Sequence, residues 1–365
     1  MMKVLIDDGM QIQVGTGIGK YSLYLYRSLK ENRVDVSLAD TIDKSKSSKG
    51  MGRIRYLLYI NSAKYRRKYR DCDIIHYTNY ALPFLRLKKT KYVVTIHDLA
   101  SFLYPETFSK PYGAYSRFTV KYALKHADKI VTVSDSVKRE IEEKFPKYAR
   151  KVTAIYPGHY CEIEKREYAD DGYESEKLDG VVHKYRFFLF VGTIEKRKNV
   201  GMMIEAFIRF RESSPDYSGY KLVLAGRPGY GYESFAETAR ESKYSGDILF
   251  TGYLSKDDTN KLYNCATAYL FATVYEGFGS TQLECMACHT PLILSDIPTN
   301  REVSAEYGYF FDRKDVDSLT RQMVAVVKEQ DRIGKNQIAD GLIANFSWKD
   351  IAKRYGEIYR VLIGE

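Results

Sequence analysis

The 365-residue sequence has no run of 18 or more apolar residues and only five cysteines, and each scarcity narrows the class of protein. Without a long apolar run, a transmembrane helix is excluded. The unevenly spaced cysteines form no disulfide framework, so we expect reduced thiols. The initial residues, MMKVLIDDG, lack the apolar core of a signal peptide, and we therefore expect a cytoplasmic protein.

Charge is unevenly distributed along the chain. The net charge is +10, yet residues 1–150 hold 29 Lys and Arg against 15 Asp and Glu, and residues 44–70 hold ten cations and no acid. Residues 51–60 interleave aromatic, aliphatic and basic side chains, which is typical of an amphipathic helix on an anionic membrane surface. The alternative is a solvated charged helix that packs Leu57, Leu58 and Ile60 inward. No recognition motif accompanies the charge, so we expect no nucleic-acid partner.

Short apolar runs alternate with helical patterns along the sequence, and the length suits two domains of ordinary size. We therefore predict an α/β protein with two doubly wound domains. The first covers residues 1–165 and the second covers residues 183–346. Residues 159–184 are polar and unpatterned, so they are interpreted as a linker and loop.

Two features of the first half lie after predicted strands. His97 follows the apolar run Tyr92–Ile96, and ligands bind at the carboxyl ends of strands in open α/β sheets, so His97 is a candidate active-site residue. A loop with glycines at 15, 17 and 19 follows the first strand, with a helix predicted from about Lys20. A nicotinamide site is a weak alternative for this loop because several residues separate its glycines from the strand.

Two cations precede a helix in the second half. Arg197 and Lys198 follow the predicted strand Phe187–Val191 by several residues, and a helix is predicted from Val200. Helix N-termini disfavour cations, so a pair of them there indicates a bound anion. A diphosphate fits this arrangement.

Residues 268–298 form a predicted strand–loop–helix–strand unit. Glu276 lies in the loop, the helix opens near Ser280, and Glu284 lies one turn inside it. The glycines of the loop let the backbone come close to a ligand, and the helix N–H groups favour anionic oxygens. The two carboxylates can accept hydrogen bonds from the hydroxyls of a sugar or ribose.

The spacing of these acids resembles a known family. Glu276-Gly-Phe-Gly, four residues and Glu284 resemble the E-x7-E pattern of retaining GT-B glycosyltransferases of glycosyltransferase family 4, also called glycosyl transferases group 1. Residues 283–291 are similar to that family's LEAMACGTP segment, residues 192–199 to its GxxxxRKN segment and residues 16–21 to its GIGRY segment. The chain departs from the family pattern at Thr193, Ser280, Thr281, Cys285 and His289.

The resemblance covers nearly the whole chain and implies a GT-B fold, with two facing Rossmann-like domains and a cleft between them. The first domain would bind the acceptor, the second would bind the nucleotide-sugar donor, and the helix in residues 347–365 would cross back onto the first domain. The implied activity is retaining transfer of a hexosyl group from a nucleotide-diphosphate sugar to a hydroxyl of a saccharide or lipid-linked saccharide. The alternatives are a GT-B nucleotide-sugar epimerase and a non-enzymatic anionic-lipid-binding protein.

The resemblance also implies roles for individual residues. The expected catalytic residues are His97, Glu276, Arg197 and Lys198. The expected donor-binding residues are Gly17, Gly19, Gly226, Tyr253, Phe278, Gly279, Ser280 and Glu284. The expected acceptor-side residues are Asp98 and Ser134. No Asp-x-Asp motif stands at a predicted strand end, so we expect neither a metal nor a cofactor, and we expect residues 44–70 to meet the inner face of a membrane.

Overall fold

The structure is a computed structural model that describes residues 2–9, 16–40, 51–160, 162–167, 178, 181–329 and 332–365. Predictions for Gly15 and residues 44–50 lie outside the described residues. The chain divides into two compact units. The first comprises Met1–Pro105, Lys110–Gly158 and Phe346–Glu365, and the second comprises Glu106–Ser109 and His159–Asn345.

The strands of the described residues are β1 (Lys3–Asp7), β2 (Asp35–Leu38), β3 (Ile74–Tyr77), β4 (Lys91–Ile96), β5 (Lys129–Thr132), β6 (Val152–Ala154), β7 (Arg186–Val191), β8 (Tyr220–Ala225), β9 (Ile248–Gly252), β10 (Ala268–Phe271), β11 (Leu292–Ser295) and β12 (Gly308–Phe311). The helices are α1 (Gly17–Glu31), α2 (Met51–Ile60), α3 (Ala63–Lys68), α4 (Ala100–Leu103), α5 (Lys110–His126), α6 (Asp135–Lys144), α7 (Val181–Lys184), α8 (Val200–Ser213), α9 (Tyr232–Glu241), α10 (Lys256–Cys265), α11 (Ser280–Ala287), α12 (Pro298–Ser304), α13 (Val316–Lys328), α14 (Arg332–Ile343) and α15 (Trp348–Ile363).

The first unit is built on a parallel sheet in the order β2-β1-β3-β4-β5-β6. The direction of winding changes between β1 and β3, where Val4 pairs with Ile74. Helices cover a parallel sheet on both faces, which explains why its central strands are continuous apolar runs. A doubly wound α/β domain is therefore confirmed for the first unit.

Helix α15 belongs to the first unit. Trp348 packs against Tyr21 and Tyr24 of α1, with ring centroids 5.7 and 5.8 Å apart. Asn32, which ends α1, donates from Nδ2 to the Lys349 carbonyl at 3.2 Å. Gly158 also lies against the Trp348 ring, where an added Cβ would come within 2.5 Å of ring atoms.

Helix α1 starts three residues before the predicted position. Thr16 adopts an extended conformation and its Oγ1 accepts a hydrogen bond from the Gly19 amide at 3.1 Å, which caps the helix. Gly17 and Gly19 therefore lie in the first helical turn and not in a loop.

The second unit has a parallel sheet in the order β12-β11-β10-β7-β8-β9, so its direction of winding changes between β7 and β10. Its core packs phenylalanine and aliphatic side chains between sheet and helices; Phe188, Phe207 and Leu270 are fully buried. The second doubly wound domain is thereby confirmed. Within the described residues, no helix has the length and apolarity needed to cross a lipid bilayer.

Candidate active site

The carboxyl ends of β7 and β8 approach each other closely in the second unit. Gly192 and Gly226 follow these strands and both have a φ of 154°. A Cβ on Gly226 would lie 1.8 Å from the Gly192 carbonyl oxygen. Only glycine fits there, so the backbone itself forms this part of the sheet edge. The structure thus gives Gly226 a steric reason to be glycine, and its role in donor binding stays a prediction.

Arg197, Lys198 and Glu276 meet at the point where winding changes. The two cations lie in the short 3₁₀ turn after β7, and Glu276 lies in the loop after the neighbouring strand β10. Arg197 Nη1 donates to Glu276 Oε2 at 3.1 Å, and Lys198 Nζ donates to the same oxygen. Arg197 Nη2 also donates to Glu195 Oε1 at 2.8 Å. Two cations and two carboxylates therefore form one cluster.

The cluster is shielded from solvent, with 13% of the Lys198 side chain and 17% of the Glu276 side chain exposed. Burial opposes ionisation of Glu276, but Lys198 and Arg197 outweigh it and hold the pKa of this carboxyl below its ordinary value. Burial lowers the pKa of Lys198, and Glu276 only partly offsets it. Glu276 is therefore held as a carboxylate, paired with Arg197 and Lys198 and largely shielded from water.

Backbone hydrogen bonds hold the two loops of this cluster together. The Val274 amide donates to the Arg197 carbonyl at 2.9 Å, and Thr273 Oγ1 donates to the same carbonyl at 3.1 Å. On the other side, Thr299 Oγ1 donates to the Glu276 carbonyl at 2.8 Å. Arg197, Lys198 and Glu276 are therefore placed by main-chain contacts as well as by their own ion pairs.

Helix α11 opens beside the cluster. Gly279 stands at its N-cap with a φ of 80°, and a Cβ there would lie 2.4 Å from Gln282 Nε2. Phe278 is buried beneath the turn, and Ser280 is the first helical residue. A left-handed glycine at this turn leaves the first amides of α11 available to an anion.

Glu284 lies one turn into α11 and is 5% exposed. Tyr263 of α10 donates its hydroxyl to Glu284 Oε2 at 2.9 Å. Tyr263 is itself fully buried, so this hydrogen bond holds the Glu284 carboxylate from the interior of the unit. The arrangement is suited to holding hydroxyl groups in a fixed position.

Tyr253 is an exposed aromatic side chain directly after β9. Tyr253 is 59% exposed, and the Arg227 guanidinium lies 4.5 Å from the centroid of the Tyr253 ring. A tyrosine ring stacked with arginine at a strand end presents a flat surface that an aromatic base can stack upon.

In the first unit, His97 follows β4 and its ring is held by a main-chain group. Nε2 lies 2.7 Å from the Thr78 carbonyl oxygen. Because a carbonyl only accepts, Nε2 carries the proton. Burial lowers the pKa of His97, opposed by the Thr78 carbonyl and by Asp98, so the ring is neutral at pH 7. The described residues form no hydrogen bond to Nδ1, so this unprotonated nitrogen keeps an acceptor lone pair.

A row of buried hydroxyls lies behind His97. The Tyr21 ring meets the His97 ring edge to face at 5.1 Å, and its hydroxyl bonds both Thr95 Oγ1, at 3.2 Å, and the hydroxyl of Tyr355 in α15. Burial raises the pKa of Tyr21 to about 12. The hydroxyl groups packed behind His97 are therefore neutral at physiological pH.

The two acceptor-side candidates each accept a backbone hydrogen bond near the start of a helix. Asp98 Oδ1 accepts from the Ala100 amide at 2.9 Å, ahead of α4. Ser134 is fully buried, and its Oγ accepts from the Val137 amide at 3.1 Å at the start of α6. Their acceptor-binding roles stay predictions.

The described part of the basic segment, residues 51–70, packs aromatic side chains into the first unit. Tyr56 and Tyr65 donate their hydroxyls to the two oxygens of Asp7, each at 2.7 Å. Ile60 is fully buried, as an inward-packing helix requires, whereas Leu58 is 68% exposed. The segment is thus a docked structural element with an outer face, and membrane contact by that face stays a prediction.

Several residues of the site gave no signal in the sequence that would have identified their roles. Glu195 shares Arg197 with Glu276, and only its place two residues before Arg197 could have suggested this. Tyr263 is distant in sequence from Glu284 and lies in an unremarkable helical pattern. Beneath the loop after β10, Gln282 Nε2 donates to Asn300 Oδ1 at 2.9 Å, another pairing without a local pattern.

No group of three or more His, Cys, Asp and Glu side chains is arranged to hold a metal ion within the described ranges. The expectation of metal-free chemistry stays a prediction.

Solved structures share this architecture. Sucrose-phosphate synthase from Thermosynechococcus elongatus superposes with a TM-score of 0.77 at 16% identity, covering 100% of both chains. WaaG, a glycosyltransferase involved in lipopolysaccharide biosynthesis, gives 0.70 at 15% identity over 99% of this chain and 100% of that one. Anabaena HepE in complex with UDP and glucose gives 0.69 at 15% identity over 98% and 99%. The predicted GT-B fold is confirmed.

Sequence profiles identify the family. The Glycosyltransferase Family 4 profile matches residues 15–162, and the Glycosyl transferases group 1 profile matches residues 174–339. The chain belongs to glycosyltransferase family 4, the glycosyl transferases of group 1, and is a glycosyltransferase. The predicted family is thus confirmed.

Curated relatives extend over both units. O-antigen chain mannosyltransferase B of Escherichia coli is 27% identical over 383 residues, covering 95% of this chain and 96% of that protein. O-antigen chain mannosyltransferase RfbU of Salmonella typhimurium is 26% identical over 269 residues, covering 73% of this chain and 69% of that protein.

Proposed function

We propose that the protein transfers mannose, with retained anomeric configuration, from a nucleotide-diphosphate mannose to a hydroxyl of a saccharide or lipid-linked saccharide in cell-surface polysaccharide synthesis. The observation that carries this proposal is the cluster of Arg197, Lys198 and Glu276 where β7 and β10 end. The mannosyltransferase relatives support the choice of mannose and of a polysaccharide acceptor.

The cluster supplies the groups that departure of a diphosphate requires. A diphosphate that binds Arg197 and Lys198 competes with Glu276 for both cations. Glu276 is then free to accept a hydrogen bond from a donor-sugar hydroxyl, while the cations and the amides at Gly279 and Ser280 stabilise the charge that develops on the leaving oxygen.

We do not assign Glu276 as the nucleophile, because in the donor-bound state it accepts a hydrogen bond from a donor-sugar hydroxyl. Attack by the acceptor on the same face as the leaving group fits better. In that path the leaving phosphate oxygen accepts the proton of the acceptor hydroxyl, and configuration is retained.

The rest of the donor has partners in the same unit. Glu284, fixed by Tyr263, accepts hydrogen bonds from the ribose hydroxyls. Tyr253 stacks on the base, with Phe278 and Gly226 shaping the surrounding backbone.

The first unit contributes further groups to the proposed reaction. His97 accepts a hydrogen bond from a sugar hydroxyl at Nδ1, and Asp98 and Ser134 lie on the acceptor side. Gly17 and Gly19, at the start of α1, contact the donor. Residues 44–70 bring the enzyme to an anionic membrane where a lipid-linked acceptor resides; no metal, cofactor or nucleic acid takes part.

Incubation with a panel of nucleotide-diphosphate sugars, including those of mannose and glucose, tests the proposal. We expect release of nucleoside diphosphate from the mannose donor, unchanged by EDTA, and the product anomer determined by NMR to match that of the donor. An epimerase would convert the nucleotide sugar without releasing nucleoside diphosphate. No release with any donor would contradict the proposal, and loss of activity in EDTA would contradict its metal-free mechanism.

Glu276→Gln gives a sharper test of competition at the cations. The amide no longer neutralises Arg197 and Lys198, so we expect tighter binding of free nucleoside diphosphate and slower transfer, measured by calorimetry and steady-state kinetics. Weaker binding of nucleoside diphosphate would show that Glu276 does not compete for these cations.

A further inference from the structure

We infer that the first unit carries a face for an anionic lipid bilayer, built by three segments that are separate in sequence: residues 51–70, 84–91 and 110–125. We call these segments the basic–apolar face. The inference deepens the membrane contact proposed for residues 44–70 and rests on the proposed function for its purpose, which is to bring the enzyme to a lipid-linked acceptor.

The charge of these three segments is exceptional. They contain 15 Lys and Arg and no Asp or Glu, whereas the rest of the chain has 42 Lys and Arg against 47 Asp and Glu. The excess positive charge of the whole protein is therefore concentrated in them. An anionic surface attracts such a face before any specific contact forms.

Phe84 joins the three segments in the structure. Its amide donates to Asn61 Oδ1, at the end of α2, at 2.7 Å. Its ring meets the Tyr122 ring of α5 edge to face at 5.2 Å, and Tyr122 stacks with Phe118 at 6.2 Å. The segments thus form one continuous surface around the loop after β3.

Large apolar side chains project from this surface. The exposed fractions are 68% for Leu58, 60% for Ile54, 55% for Phe118, 53% for Phe84 and 51% for Leu85. In the described part of the second unit, the exposed large hydrophobic side chains are all tyrosines, at positions 185, 230 and 253. Single exposed apolar residues are ordinary, but five in one cation-rich surface indicate an interaction site.

Exposed cations lie in the same segments as these apolar side chains. Lys88 and Lys89 are exposed and form no ion pair with the described residues. Arg86, in contrast, is held by Asp128 and by the His126 carbonyl. Burial and then Lys125, Arg86 and Lys151 lower the pKa of His126, consistent with a positive local field.

Among possible occupants, a bilayer fits both properties of the face. Lipid headgroups pair with the cations while leucine and phenylalanine side chains enter the acyl boundary. A second copy of this face would bring cations against cations, which costs free energy. A nucleic acid would pair with the cations but would leave Ile54 and Leu58 in water.

Sedimentation with vesicles tests the charge of the face. We expect the wild type to bind phosphatidylglycerol vesicles and Lys88→Gln/Lys89→Gln to bind them about 25-fold more weakly, since each cation near the surface contributes about fivefold. Lys314→Gln/Lys328→Gln removes the same charge from exposed positions of the second unit and should bind like the wild type. Equal weakening in both variants would overturn the inference.

The apolar contribution is tested by Leu58→Ser/Phe118→Ser, with Val361→Ser as the exposed apolar control. Vesicle binding should weaken on the order of tenfold for each buried side chain that is lost, and the loss should persist in high salt. Unchanged thermal unfolding establishes that the variants are folded. Vesicle binding by the double variant equal to that of the control would overturn the apolar part of the face.

Two further measurements separate the alternatives. Release of nucleoside diphosphate in solution should survive in the face variants, because their residues lie outside the proposed catalytic and binding groups. If the wild type binds vesicles in this manner but acts on no nucleotide sugar, the face stands and the proposed function fails. If Lys88→Gln/Lys89→Gln loses affinity for a single-stranded oligonucleotide and none for vesicles, the face binds nucleic acid and the inference is overturned.

Discussion

The two units place different chemistry at the points where the winding of their sheets changes. In the second unit, the point where winding changes gathers Arg197, Lys198 and Glu276 into a charged cluster. In the first unit, Asp7 at the equivalent point has its pKa raised by burial, against the hydrogen bonds from Tyr65 and Tyr56. The comparison teaches that topology determines where functional groups gather, and side-chain chemistry determines which ligand they suit.

Substitution in the cluster of Arg197, Lys198 and Glu276 should have the largest effect on turnover. Lys198→Ala removes a cation that stabilises developing negative charge, so we expect turnover to fall about 10²–10³-fold. Lys196→Ala, an exposed neighbour in the same 3₁₀ turn, is the matched control and should retain turnover. Steady-state kinetics with saturating donor measures both. Equal losses would show that the turn, not the ammonium of Lys198, is what catalysis needs.

Glu284 should have the next largest effect. Glu284→Ala removes a charged acceptor of ribose hydroxyls, and we expect donor binding to weaken by about 1.5–3 kcal/mol. Tyr263→Phe, which removes only the hydroxyl that holds the carboxylate, should cost less. Calorimetric titration with nucleoside diphosphate gives both values, and unchanged affinity in a folded Glu284→Ala variant would remove ribose binding from the assignment.

In the first unit, the buried neutral His76 should make stability depend on pH. Burial lowers the pKa of His76 to about 3, with His97 contributing, while both ring nitrogens bond hydroxyls of Thr95 and Tyr359. The unfolded chain, with an ordinary pKa of about 6.5, takes up the proton first, so this stability is present above pH 6.5 and is lost as pH falls from there toward 3.

His76→Gln removes this titration. The difference in free energy of unfolding between wild type and variant should therefore change by about 1.4 kcal/mol per pH unit within that window, measured by urea unfolding at several pH values. A difference that does not vary with pH would show that His76 does not remain neutral in the folded protein.

The smallest expected effect concerns His97. Its lowered pKa keeps Nδ1 unprotonated at pH 7, so transfer should decline only below about pH 6.5, where protonation removes the acceptor. His97→Gln retains an accepting oxygen without titrating, so we expect a few-fold lower rate and no acid limb from this group. An identical acid limb in the variant would assign that limb to another residue.

Much of this arrangement could be predicted because parallel sheets impose it. Arg197 and Glu276 are far apart in sequence, but each follows one of two neighbouring parallel strands, so both had to reach the same sheet edge. Which groups pair there could not be predicted. The position of Glu276 between both cations, and the hydrogen bond from Tyr263 to Glu284, depend on tertiary packing that no local pattern records.

Residues 51–70 show a different limit of prediction from sequence. Residues 51–60 mix aromatic and aliphatic side chains without a clear period, so the sequence did not determine that Ile60 packs inward and Leu58 outward. The composition of residues 44–70 drew attention to that stretch alone. Residues 84–91 and 110–125 are equally free of acid, but only the fold brings them beside it.

Helix α15 has a consequence for the nascent chain. Tyr355 and Tyr359 complete the hydroxyl row that runs behind His97 to His76, yet they are translated after every residue of the second unit. On the ribosome, the second unit has its whole sequence available while the first still lacks its final helix. The first unit is thus the later of the two to have all of its residues synthesised. A premature stop before Trp348 would remove Tyr355 and Tyr359 from the hydroxyl row and leave Arg197, Lys198 and Glu276 in the chain.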